Sequence, residues 1–140
     1  MFVLDTDHMS LLEWGGDSSA VLRERLADIP TEDVVTTVIS YEEQMRGWMA
    51  YLARAKSVDQ EVEAYRRLRR HLDNYRQIPV LDFEPHAAAE YQRLRRAKIR
   101  IGTLDLKIAA IVLSRDARLL SRNLVDFRQV PGLKVEDWAR

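Results

Sequence analysis

The stretch VVTTVISYEE, residues 34–43, decides the architecture. Val34 to Val38 is β-branched at every position, the composition of a strand buried on both faces inside a parallel sheet. Ser40 then reads as a helix N-cap, and Glu43 three residues later completes the Ser-x-x-Glu spacing of a capping box. A strand that passes directly into a capped helix is the first half of a strand–helix–strand unit, so the rest of the chain is expected to repeat that alternation.

It does so in both directions. Upstream, Phe2 to Leu4 reads as a short strand ending at Asp5, His8 to Trp14 as one or two helical turns closed by Gly15-Gly16, and Asp17-Ser18-Ser19 as the start of a helix to about Ala27. Downstream of Ser40, Met45, Trp48, Met49 and Leu52 recur at helical spacing. A second helix spans about Asp59 to Tyr75, with Val62, Tyr65, Leu68, Leu72 and Tyr75 as its apolar stripe, so the two form a helical hairpin over about 40–76. Pro79 to Asp82 reads as a brief strand, and Pro85 to about Lys98 as a helix with Ala88, Tyr91 and Leu94 inward. Thr103 reads as the cap of a central helix from Leu104 to Leu113. Arg118 to Ser121 and Leu133 to Val135 are further strands, with Asn123 to Phe127 a loop or single turn between them. The expectation is one α/β domain over 1–140, a three-layer α/β/α sandwich around a mostly parallel sheet of about five strands.

Composition narrows the function classes. A 140-residue chain buries a core without disulfide or metal staples. Having no cysteine, it has no thiolate site and no disulfide framework. Its longest purely apolar run, Ile108 to Leu113, is far short of a membrane span, and Asp5 and Asp7 interrupt any secretory leader at once. The expected location is the cytoplasm. With 22 basic and 22 acidic residues the net charge is zero, so there is no global attraction for nucleic acid. Arginine nonetheless clusters at Arg66-Arg67-Leu68-Arg69-Arg70 and at Arg93-Leu94-Arg95-Arg96, and its planar fork suits phosphate.

The acids carry the chemistry. Asp5 follows the first strand, and in open parallel sheets ligands bind outside the carboxyl ends of the strands. Glu43 follows the second strand, Asp105 opens the central helix at its second position, and Asp126 follows the fourth strand. Each has a local structural role at hand, as turn residue, capping-box acid, dipole partner or loop acid, and Asp7 is well placed to N-cap the first helix. Four carboxylates at one sheet edge would raise one another's pKa unless a cation neutralised them. An all-oxygen ligand set favours Mg²⁺ or Mn²⁺. Such a site suits phosphodiester hydrolysis. His8, His71 and His86 lack partners at ligand spacing and are expected to be non-catalytic.

On four blocks in order, Met1–Ser10, Thr37–Glu43, Ile101–Ala110 and Ser121–Phe127 with Val130–Leu133, the chain resembles the PIN-domain endoribonucleases, specifically the VapC-type toxins of bacterial toxin–antitoxin modules. The resemblance implies a metal site of Asp5, Glu43, Asp105 and Asp126 with Thr6, Asp7 and Asn123 in support. It leaves open whether Asp7, where many members carry Asn, is a ligand or a cap, and whether Asn123 or Asp126 completes the acidic set. It also implies a structured RNA substrate such as a tRNA or rRNA loop, cleavage dependent on Mg²⁺ or Mn²⁺, a homodimer, and a cognate antitoxin docking near the hairpin. Two rival readings stand beside it. One is a non-catalytic module that binds RNA or protein and keeps the acids for capping. The other is a HAD-type phosphatase, disfavoured because Met9 and Ser10 stand where that family needs a threonine and its later paired acids are missing.

Overall fold

The computed structural model describes all residues 1–140. Strand β1 (Phe2–Leu4) is followed by helices α1 (Thr6–Trp14) and α2 (Asp17–Leu26), and strand β2 (Val34–Thr37) by the hairpin of α3 (Val38–Ala53) and α4 (Val58–Arg76). Strand β3 (Val80–Leu81), helices α5 (Pro85–Arg96) and α6 (Thr103–Ser114), strand β4 (Arg118–Leu120), helix α7 (Leu124–Phe127) and strand β5 (Lys134–Glu136) complete the chain. The five strands form one sheet in the order β3-β2-β1-β4-β5, every pair parallel, as expected from the alternation. No helix is long and apolar enough to cross a membrane.

β1 is the centre. Its alternating side chains serve opposite layers. Val3 packs with Val35, Leu119 and the apolar body of α6, whereas Leu4 packs with Met9, Leu22, Tyr75, Leu120 and Trp138. From Ile108 to Val112 every residue of α6 is fully buried, which explains why its sequence is apolar on all sides rather than along one stripe. Gly15 and Gly16, at φ 82° and 103°, turn the chain between α1 and α2 through a region that side chains with a Cβ avoid.

Several local expectations are corrected. Thr37, not Ser40, caps α3: its hydroxyl accepts from the Ser40 amide at 3.1 Å. The helix therefore starts at Val38, the second strand ends one residue earlier than its β-branched run, and Glu43 lies in the second turn, too far along to close a capping box. Asp5, not Asp7, caps α1 through the Thr6 amide at 2.7 Å, so that helix begins two residues before His8. Thr103 is the first helical residue of α6, with Gly102 at the cap position and Asp105 third rather than second. On α4 the buried residues are Ala64, His71 and Tyr75, while Val62, Tyr65 and Leu72 remain exposed. Small Ala64 lets α4 approach its neighbours closely, and the larger apolar stripe is left at the outer rim.

The cap reassignment is measurable. Thr37→Val should lower stability in urea by about 1 kcal/mol, whereas Glu43→Gln should not lower it. A comparable loss in both variants would reinstate the capping box.

Candidate active site at the carboxyl edge of the sheet

The parallel register brings the ends of β1 and β4 side by side, with Leu4 opposite Leu120. The next residues are Asp5 and Ser121, and they meet. The Asp5 amide donates to the Leu120 carbonyl at 2.9 Å, and the Ser121 hydroxyl donates to Asp5 Oδ2 at 2.7 Å. Asp5 Oδ1 accepts from the Thr6 amide, so both oxygens of a carboxylate only 5% exposed are engaged. Beside it, the Thr6 hydroxyl is buried with no hydrogen-bond partner.

Asp7 lies in the same cluster but does another job. Its Oδ2 accepts from the Arg122 amide at 3.0 Å and lies 3.3 Å from the Ser121 hydroxyl, tying α1 to the loop after β4. His8, fully buried, explains its other oxygen. Because His8 Nε2 accepts from the Trp138 amide at 3.2 Å, Nδ1 carries the ring proton and donates to Asp7 Oδ1 at 2.7 Å. His8 is therefore a strut between α1 and the C-terminal segment.

Asn123 spans the remaining acids. Its Nδ2 donates to Asp126 Oδ2 at 3.1 Å and reaches Asp105 Oδ2 at 3.4 Å. It reaches both carboxylates by hydrogen bonds, so Asn123 and Asp126 lie side by side. Glu43, from the second turn of α3, completes the group electrostatically.

The charges are mutually felt. Burial, followed by the charge of Asp7 and, less strongly, of Asp105, pushes the Asp5 carboxyl up to about 7, against the opposing pull of the Ser121 and Thr6 hydrogen bonds. Burial and then the charges of Glu43, Asp126 and Asp7 push Asp105 up to about 6, with Asn123 again opposing. Tyr75, beneath the site, is raised far above the usual phenol range by burial and then by Asp5, Glu13 and Glu43. Asp5, Glu43, Asp105 and Asp126 thus share one field. As they stand, no three of these side chains converge closely enough to hold a metal ion among themselves. Mg²⁺ usually takes only one or two carboxylates and fills its octahedron with water and substrate oxygens. The acidic oxygen set, the raised Asp5 and Asp105, and the unpartnered Thr6 hydroxyl all fit a hydrated divalent cation.

Sequence reading missed Ser121 as the clasp between Asp5 and Asp7, and the Arg122 amide as a ligand for Asp7. Serine directly after a strand was the available signal. It missed altogether the chain Tyr75 to Gln44 to Ser10, in which the Tyr75 hydroxyl donates to Gln44 Oε1 and Gln44 Nε2 donates to Ser10 Oγ at 2.7 Å, locking α4, α3 and α1 together.

The chain belongs to the PIN domain family, whose model matches residues 2–133. Among named proteins it is similar to the tRNA(fMet)-specific endonuclease VapC of Salmonella typhimurium, 34% identical over 65 residues, and to ribonuclease VapC2 of Rickettsia felis, 29% identical over 65 residues. Each match covers 44% of this chain and 49% or 48% of the relative, so it spans about half the length of these proteins. The fold is shared over nearly the whole chain with the DNA-bound VapBC complex of Salmonella typhimurium, at TM-score 0.75 and 24% identity, covering 98% of this chain and 97% of that one. It is shared also with VapBC2 of Rickettsia felis bound to a promoter DNA fragment, at TM-score 0.73, 23% identity and 98% coverage of both.

The raised carboxyls set a sign for pH dependence. A carboxyl whose folded pKa exceeds its unfolded value binds more protons in the native state, so stability falls as pH rises from about 4 to about 7. Without divalent metal, the protein should unfold at lower urea concentration at pH 8 than at pH 5. Asp5→Asn should flatten most of that slope, and a flat wild-type profile would contradict the assigned burial of Asp5.

Proposed function

We propose that this chain is a metal-dependent endoribonuclease that acts in the cytoplasm as the toxin of a toxin–antitoxin module. The observation that carries the reading is the shared field of Asp5, Glu43, Asp105 and Asp126 at the carboxyl edge of a PIN-domain sheet. Support comes also from the names of its relatives, an endonuclease and a ribonuclease, and from structural neighbours that are toxin–antitoxin complexes. The substrate class is structured RNA, tRNA or rRNA, and the working unit is a homodimer restrained by an antitoxin. The exposed Met49, Val62, Tyr65 and Leu72 of the α3–α4 hairpin form an apolar rim suited to those protein contacts.

When bound, Mg²⁺ or Mn²⁺ would activate water and offset charge building on the scissile phosphate. Asp5, Glu43, Asp105 and Asp126 would hold it. The chain's own groups make that possible. Ser121 and the Thr6 amide fix the rotamer of Asp5, Asn123 fixes Asp105 against Asp126, and the Arg122 amide keeps Asp7 directed to the β4–α7 loop. Asp7 thereby serves as a positioning residue for the loop that carries Asn123 and Asp126.

One observation favours the rival reading of a non-catalytic module, since Asp5 caps α1 and could do only that. The two readings separate cleanly. Purified protein should cut bacterial total RNA at discrete positions with Mg²⁺ or Mn²⁺ and not in excess EDTA. Asp5→Asn, Glu43→Gln and Asp105→Asn should each reduce cutting at least about 100-fold, the scale on which removing one charge-stabilising group lowers a rate. In the induced host, Glu43→Gln should relieve growth arrest. Cleavage that persists in EDTA would overturn the metal mechanism, and acid variants with unchanged cutting and unchanged growth arrest would leave only the binding module.

A further inference from the structure

Gly47 sits in the middle of α3, a 16-residue helix, where glycine is among the least favoured residues. Nothing inside the protein requires it. A Cβ built at residue 47 meets no heavy atom within 4 Å, and the residue is exposed. The bare backbone instead forms the floor of a cavity of about 290 Å³ walled by Gln44, Trp48, Tyr51 and Arg54. A second cavity, of about 330 Å³, continues from Tyr51 and Arg54 to Ala55 and Gln60.

The groove begins one helical turn from Glu43, with Gly47 and Arg54 on the Glu43 side of α3 and Gln44 and Trp48 on the far wall, about 100° and 140° around the helix. At roughly 100° per residue, Gly47 lies within about 40° and Arg54 within about 20° of Glu43 around the helix, and the groove opens one turn, about 6 Å, beyond Glu43. Its walls are aromatic and carry no acid. Trp48 packs edge-on against Tyr51 at 5.8 Å and at a tilt against Trp14 of α1 at 5.9 Å. Arg67 lies over Tyr51 at 4.9 Å, Arg70 lies over Trp14 at 4.5 Å, and neither Arg54 nor Arg70 has a carboxylate within ion-pair distance.

We propose that this groove is a base-binding subsite for the RNA strand next to the scissile phosphate. An unstacked base lies on the Gly47 backbone against Trp48 and Tyr51, and Arg54 meets the following phosphate. Arg67 is paired with Glu63, so Arg54 is the arginine of the groove left without an acid, and aromatic faces beside such a charge are what a single strand needs: stacking for any base, and charge for the backbone. Charge is also the reason to favour RNA over a protein segment here, because the pocket beside Tyr65 and Leu72 is mainly apolar and its one arginine, Arg69, is paired with Asp73, whereas Arg54 in the groove has no acidic partner. The inference rests on the nuclease reading, naming how its substrate is held.

The test separates fold from function. Binding of bulk bacterial tRNA to the full chain is measured by filter retention in EDTA, where no cutting occurs, beside thermal unfolding. Gly47→Ala should raise Tm, since alanine is the better helix former, and yet weaken tRNA binding. Gly47→Leu, which has room in the fold, should weaken binding at least about fivefold, and so should Trp48→Ala by loss of stacking. Gly47→Ala and Gly47→Leu variants that bind tRNA like the wild type would overturn the inference. So would a Gly47→Leu variant that keeps tRNA binding but loses a protein partner. A wild type that neither binds tRNA nor cuts RNA with Mn²⁺ would instead overturn the nuclease reading itself, and the subsite with it.

Discussion

The register of β1 against β4 is the constraint on which the site depends. Leu4 opposite Leu120 is a hydrophobic pairing, both side chains lying in the same core layer. Its consequence is polar. One residue further on, Asp5 and Ser121 are forced together at the sheet edge, and the serine hydroxyl becomes the donor that makes a buried carboxylate tolerable. A slip of one residue would turn one strand's side chains to the opposite face and part Asp5 from Ser121, so the packing of the core and the placement of the first acid are one decision.

The second acid, Glu43, has no local structural role to explain it. With Thr37 as the cap, Glu43 does no capping work, and its position one turn further along α3 brings it into the field of Asp105. The cost of that gathering is visible in Asp5 and Asp105, both raised by burial first and by neighbouring acids next. Hydrogen bonds from Ser121, Thr6 and Asn123 offset part of it. A site that conflicted with itself in this way would be hard to explain in a purely structural role.

The hairpin divides its surface between two characters. One flank of α3, with Gly47, Tyr51 and Arg54, is open, aromatic and basic; the outer rim, with Met49, Val62, Tyr65 and Leu72, is apolar. Between them the Tyr75–Gln44–Ser10 chain ties α4 and α3 to α1, so both flanks are held at fixed positions relative to the acids.

Much of this was legible in residues 34–43 and their counterparts: β-branched strands, their alternation with helices, and acids in the strand-to-helix segments and the first turns of helices all follow from local composition and period. Local rules also misassigned three caps, because Thr37, Asp5 and Gly102 compete with Ser40, Asp7 and Thr103 one to three residues away, and only the geometry of the strand ends decides which residue is still extended. The apolar stripe of α4 was legible as a stripe, but which part of it is buried depends on Ala64 and His71 meeting α1 and α3. By itself the sequence determined the elements and the identity of the acids, since these depend on neighbours along the chain. Tertiary structure alone decided that Asp5 is the buried acid that caps α1 and Asp7 the tie between α1 and the loop after β4, because a parallel sheet joins residues more than a hundred positions apart, and hydrogen bonds to Ser121 and Arg122 exist only once it has formed.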